Sequence, residues 1–354
     1  MMLQRFCHFV QKKTGSTCLI LLLLLLASLV MCVSIGSADI SFGDVWRIIF
    51  SRIDETIDVS DIKPGLQNIV VYLRIPRALL GMVVGASLAL SGIAMQAFTK
   101  NPLSEPYVLG ISSGASVGAV LSIVSAVVLP WGVRLSIPVG AFCGAMASIL
   151  TVYTISRTSG EITPMRLILV GVAVSSICSA VTNFIVYTAP QDAQVREATF
   201  WMLGGLGNAS WESLPIPSLV LVPAVFILLF LARPLNIMML GDDAAITLGV
   251  NIDQVRKILI FLTALLTACS VMVSGCIGFV GLIVPHLVRS VTGSDHTKLI
   301  PISCIFGGLF MLWADAAARL VCAPAELPVG ILTAMIGGPL FLWMIHTRKY
   351  SFGR

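Results

Sequence analysis

Ten stretches of this chain are runs of apolar residues, and the segments between them are shorter, polar, and marked by glycine, proline or charge. The runs cover residues 18–35, 78–98, 108–128, 137–156, 166–187, 214–231, 258–274, 277–289, 300–320 and 329–346. Most reach about 18 residues or more, enough for an α-helix to cross a hydrocarbon layer about 30 Å thick. The run at 277–289 is short for a full crossing, so its ends are expected to be irregular backbone shielded by neighbouring helices. Hydropathy alone would merge it with the run before it; the polar break Ser274–Gly275 separates the two. The predicted fold class is all-α: a polytopic membrane protein of about ten transmembrane helices. No polar segment of domain size interrupts the pattern, so residues 1–354 are read as one transmembrane domain, with its spans between 18 and 346.

Composition agrees. The chain is 57% hydrophobic and 11% charged, less than half the charged share of ordinary soluble domains. The net charge of +5 comes from basic residues scattered between the apolar runs, where they act as topology markers and not as a nucleic-acid surface. With both termini in the cytoplasm, 14 of the 22 basic residues fall on inner segments and 8 on outer ones, a bias that obeys the positive-inside rule. The nine cysteines include no CxxC pair and lie mostly inside apolar runs; they are expected to be small buried hydrophobes, with no metal site. Arg5, Lys12 and Lys13 precede the first run, and Gly36, Ser37 and Ala38 follow it, as in a secretory signal. The run is longer than a usual signal core, and a retained signal-anchor helix is the expectation.

Two predicted outer segments carry much of the remaining polarity. Residues 36–73 hold six acids, and residues 188–213 hold Trp201 and Trp211, which suggest a short helix lying at the membrane surface. Glycines four apart (Gly81–Gly85, Gly110–Gly114–Gly118, Gly140–Gly144) let helix backbones approach closely in lipid. Ser112, Ser113 and Ser116 could face water in a pore.

The chain has no GxxxxGK[ST] loop, hence no ATP site of that type. Mid-membrane acids, the usual mark of ion-coupled carriers, are nearly absent; Asp315 and His286 are expected to be satisfied structural groups. Power must then come from a partner, and the inner loop 232–257 offers a place to receive it. Asp242 and Asp243 suit the start of a short helix, Gly249 suits its end, and Ala244, Ala245 and Leu248 would form an apolar ridge between them. On the outer side, Arg74, Arg77 and Arg319 run against the charge bias. They either snorkel to the headgroups or meet acids on a partner.

The stretch RIPRALLGMVVGASLALSGIAMQAFTKNPLSEPYVLGISSGASVG (74–118), with GCIGFVGLIVPHLVR (275–289), GSDH (293–296), ADAAARL (314–320) and ELPVG (326–330), resembles the permease subunits of bacterial ABC importers for iron–siderophores, haem and cobalamin, the FecCD-like permeases. That resemblance implies a homodimeric type II importer permease in the bacterial cytoplasmic (inner) membrane, with both termini inside. It implies two ABC ATPase subunits that hold ATP and Mg, an extracytoplasmic substrate-binding protein, and no cofactor on this chain. The coupling motif LG-x-x-x-A-x-x-LG falls on Leu240, Gly241, Ala245, Leu248 and Gly249, and binding-protein docking on Arg74, Arg77 and Arg319. A cytoplasmic gate would lie in the connection Arg157–Arg166, at Thr163, Pro164 and Met165, where small hydroxyl residues are usual. The pathway would follow the two-fold axis, lined by the fifth and tenth spans with help from the third and eighth. The expected substrate is a metal chelate, ferric siderophore before haem or cobalamin. The rival readings are an ion-coupled secondary transporter and a membrane receptor without transport.

Overall fold

The computed structural model describes residues 14–36, 38, 40–128, 136–157 and 163–347. The basic residues expected at both termini, Asp39, Arg134 and most of the predicted gate connection lie outside the described residues. Among the described residues the chain is all helical: α1 (Thr14–Ser34), α2 (Phe42–Ser51), α3 (Pro64–Thr99), α4 (Ile111–Val128), α5 (Ile137–Arg157), α6 (Pro164–Tyr187), α7 (Asp192–Leu203), α8 (Pro215–Met238), α9 (Asp242–Thr247), α10 (Ile252–Ser274), α11 (Val280–Thr292), α12 (His296–Val321) and α13 (Val329–Thr347). Eight of these are long and apolar enough to cross a membrane, and α4 and α11 are shorter apolar helices.

α3 and α10 form the enclosed centre, with α12 packed beside them, while α1, α6, α8 and α13 expose most of their surface. Apolar exposure on the outer helices is what a lipid solvent rewards. In that solvent helices associate through close packing and not through exclusion of water. The glycine repeats supply the packing. A Cβ on Gly118 would overlap the Gly140 carbonyl, and one on Gly144 would overlap the Gly114 carbonyl, so α4 and α5 touch backbone to backbone. Gly85 of α3 meets Gly307 of α12 in the same way, and Gly92 of α3 meets Gly281 of α11.

Helix ends follow local chemistry. Ser41 caps α2 through the Asp44 N–H at 3.1 Å, Asn251 caps α10 through Gln254, and Asp295 caps α12 through Thr297, each side-chain oxygen taking an N–H that has no intrahelical partner. α2 carries Phe42, Trp46 and Phe50 as a tilted aromatic ladder on one side, with Val45 and Ile48 buried on the other.

Several boundaries depart from expectation, the furthest at α3, which begins at Pro64 and not at 78. α8 continues to Met238, past the predicted end at 231, and α10 begins at Ile252, before the predicted 258. Hydropathy stops at Arg233 and Lys257, but the helical hydrogen bonding does not, so the predicted inner loop 232–257 contracts to 239–251. α4 begins at Ile111 and not at 108, because Pro106–Leu109 forms a 3₁₀ turn closed by Gly110 at φ 78°. In α3, residues Ile69–Arg74 wind as a π-helical turn, which no sequence signal announced.

The glycine contacts generate a prediction. Gly144→Val should lower the thermal midpoint in detergent, because overpacking a close backbone contact costs about 1–3 kcal/mol. Gly338→Ala, where nothing lies within 4 Å of the added carbon, should leave the midpoint unchanged.

Candidate functional site

At the predicted outer end, the three singled-out arginines converge, but they are not free charges. Arg77 grips Asp315 through Nε and Nη2, at 3.0 and 2.9 Å, and donates through Nη1 to Glu326 at 2.7 Å. Arg319 Nε reaches Asp315 Oδ2 at 3.2 Å, an oxygen that Arg77 Nε also contacts. Arg74 donates to the carbonyls of Ser34 and Ala38, at 3.0 and 2.6 Å, and Arg319 donates to those of Cys32 and Ile35. These are the last carbonyls of α1 and its exit, which have no intrahelical donor, and their partial negative charge favours a cation. Arg74 and Arg319 are 5% and 4% exposed: their guanidinium groups are turned onto the end of α1 and seat it. Arg77 alone reaches towards solvent, through Glu326. Asp315 is the satisfied structural acid expected of it.

Beside Arg77 and Glu326 opens a cavity of about 710 Å³, also lined by Glu197, Trp201 and Glu212. The surface helix expected in 188–213 is α7, and it forms one wall. Trp211 instead donates from its indole to the Val71 carbonyl at 2.9 Å, tying this segment to α3.

At the predicted inner end, α9 hangs between α8 and α10. Gly241, at φ 117°, turns the chain into it. Gly249, at φ 81°, ends it: the N–H groups of Gly249 and Val250 bond the Ile246 and Ala245 carbonyls, a glycine-closed C-terminus. Leu240, Ile246 and Leu248 are 72%, 64% and 61% exposed, whereas Ala245 is fully buried. The ridge expected from Ala244, Ala245 and Leu248 is therefore made by Leu240, Ile246 and Leu248. Ala245 faces inward because the small side chain lets α9 sit against the bundle. Asp242 takes Lys100 on one oxygen at 2.7 Å and Arg256 on the other at 2.9 Å. The Lys100 hydrogen bond first, then the nearby Arg256 charge, hold its carboxyl below the usual carboxylate range. A depressed carboxylate pKa means that the tie is intact at neutral pH and is lost only as pH falls through that lowered value. Asn236 of α8 bonds Asp295 at 2.7 Å and His296 at 2.8 Å, joining α8 to the start of α12. Thr163 stands at the N-cap of α6, Pro164 in its first turn, and Met165 beside them 68% exposed.

Between the two ends, the chain is irregular at residues 101–105 and 275–278, ahead of the helices α4 and α11 respectively. The Phe279 N–H, at the start of α11, donates to the Glu105 carboxylate at 2.6 Å, and Tyr107 donates to the Ile277 carbonyl at 2.9 Å. Ser112 and Ser116 pack on the same break through Cys276. Phe279 has φ 67°, a left-handed conformation that is uncommon for a bulky residue.

The profile of the FecCD transport family matches residues 21–347. The chain belongs to the FecCD transport family. It is 40% identical over 330 residues to the hemin transport system permease protein HmuU of Yersinia pestis, covering 93% of this chain and 95% of that protein. It is 42% identical over 283 residues to the cobalamin import system permease protein BtuC of Halobacterium salinarum, covering 80% and 74% of the two. A solved structure described as an inward-facing ABC transporter of the metal-chelate type superposes with a TM-score of 0.80 at 31% identity, covering 94% of this chain and all of the other. The chain is thus a multi-span membrane permease of the ABC-transporter class.

For this FecCD-family permease, sequence reading placed α9 and its glycines but missed Lys100, Glu105 and Glu326 as partners. Glu105 and Glu326 lie inside stretches that carry the family resemblance, and nothing in those stretches signals what the two acids bind.

Removing one member of a buried ion pair strands its partner, at a cost of about 3–5 kcal/mol. Asp315→Ala should therefore lower thermal stability in detergent markedly. Adding Arg77→Met should recover part of the loss, because Glu326 can reach water. A double variant less stable than the single one would show that Asp315 is not what neutralises Arg77.

Proposed function

We propose that this chain is the membrane-spanning subunit of a binding-protein-dependent ABC importer that moves a metal chelate across the bacterial inner membrane. It would work as a homodimer with both termini cytoplasmic. Two ATPase subunits would hold ATP and Mg, this chain would bind no cofactor of its own, and a binding protein would deliver substrate from outside. The observation that carries this reading is α9, a short helix outside every apolar run that presents Leu240, Ile246 and Leu248 to solvent between two glycine hinges. An apolar ridge of that size, held at the end of a bundle, fits a groove on a cytoplasmic protein better than it fits water.

The substrate names of the relatives support the chelate class: hemin for the Yersinia protein, cobalamin for the Halobacterium one, Fe(3+) dicitrate for FecD of Escherichia coli. Within that class we favour a ferric siderophore, with haem and cobalamin as the alternatives. The homodimer is supported by α6, which exposes Ser176, Ser179 and Asn183 along a spanning helix. Polar side chains facing hydrocarbon are costly, and a water-lined pathway shared with a second copy relieves that cost. Thr163, Pro164 and Met165 at the inner end of α6 would narrow it on the cytoplasmic side. The binding protein would meet the outer cavity, where Arg77 is the docking arginine and Arg74 and Arg319 support the surface from beneath. ATP-driven movement of α9 would shift the dimer between two packings that open to opposite sides.

Purification of the chain with its ATPase, followed by uptake into vesicles after ATP depletion with ion gradients held, tests the reading. Uptake that survives depletion would establish an ion-coupled carrier instead. Leu248→Asp should leave the protein folded and abolish ATPase association. Ala245→Asp should instead reduce the yield of folded protein, because it forces a charge into a buried position. Full uptake by the Leu248→Asp variant would mean that α9 does not grip the ATPase.

A further inference from the structure

We infer that residues Lys100–Glu105 form a stiff strap that carries movement of α9 to the break between α10 and α11, with Lys100 and Glu105 as its two positioning residues. This rests on α9 being the coupling helix. At the lower end, Lys100 holds Asp242, the first residue of α9, at 2.7 Å. At the upper end, Glu105 takes the Phe279 N–H at 2.6 Å, and Leu103 packs with Leu282, Ile283 and Met344. The Ser104 N–H to Asn101 carbonyl bond folds the segment into a turn, and its two end residues link the start of α9 to the start of α11.

Its stiffness comes from bonds inside it. Asn101 accepts the Leu103 N–H at 2.9 Å, Thr99 donates to Ser104 at 2.7 Å, and the Ser104 N–H bonds the Asn101 carbonyl. The Asn101 N–H returns to the Gln96 carbonyl at the end of α3. Lys100 sits at φ 51°, a left-handed position where glycine or asparagine would cost less. A lysine there is explained by its side chain and not by its backbone. Phe279, also left-handed, occupies the matching position at the other end, where its N–H points at Glu105. Lys100 is thus one of the two non-glycine residues of positive φ among the described residues, and Glu105, itself extended at φ -112°, bonds the other, Phe279.

An exposed ion pair adds little to stability, so the Lys100 contact is read as positional. Two measurements test it. Nitroxide labels at Thr247 on α9 and Ser290 on α11, both exposed, should give a narrow distance distribution that broadens in Lys100→Gln and narrows again in Lys100→Arg. In the reconstituted complex, Lys100→Gln should still bind the ATPase but consume about fivefold or more ATP per substrate imported. Glu105→Ala should do the same, and the double variant should be no worse than the poorer single one, because both residues cut one strap in series. Unchanged distances in Lys100→Gln overturn the strap whatever the chain transports. A double variant whose defect multiplies the two single ones also overturns it. Broadened distances together with ATP-independent uptake would keep the strap and remove the importer reading.

Discussion

A chain inside a membrane must satisfy every backbone N–H and C=O within itself, since hydrocarbon offers neither donor nor acceptor. Most of this protein meets that demand with unbroken helices, but the segments before α4 and α11 do not. There the chain supplies other partners. Glu105 takes the Phe279 N–H, Tyr107 takes the Ile277 carbonyl, and the Gly205 N–H bonds the Ser274 carbonyl at 2.7 Å. Gly204, Gly275 and Gly330 crowd the same region so tightly that a Cβ on any of them would strike a carbonyl oxygen. The bundle around these breaks must keep its shape for those bonds to survive, which ties α4, α7, α10, α11 and α13 into one interlocked set.

The end of the bundle that carries the three arginines solves a related problem with charge. α1 finishes with carbonyls that its own helix cannot satisfy, and Arg74 and Arg319 arrive from α3 and α12 to bond them. Buried arginines in turn require an anion, and Asp315 provides it for Arg319 and Arg77 together. α1 is therefore joined to the bundle by polar bonds as well as by apolar packing: Trp313 donates to its Ser28 at 3.0 Å, and Trp46 donates to its Ser34 at 3.2 Å.

Much of this was legible beforehand, for physical reasons that differ by element. The all-helical class follows from run length, because only a helix or a closed barrel can cross hydrocarbon. The end of α9 was readable because Gly249 does what glycine does at left-handed positions, whereas Gly241 entered only as part of the motif that the family resemblance carries. The orientation of Ala245 was not, since a six-residue helix has no periodicity long enough to fix its buried face. The arginines stood out by running against the charge bias, whereas their burial depended on where α1 ends, which no local pattern announces. Glu105 and Lys100 were invisible as a pair of anchors because their partners lie 174 and 142 residues away.

The backbone contact between α4 and α5 bears on how such a molecule can move. Side chains that interlock can slide by exchanging rotamers, one notch for another. Gly114 and Gly118 against Gly140 and Gly144 leave room beside the contact only for short side chains such as Ser122 and Ser148, so this seam has no long rotamers to exchange. α4 and α5 must travel as a single plank in any change of access, and the sliding surfaces have to be sought at the seams where longer side chains meet.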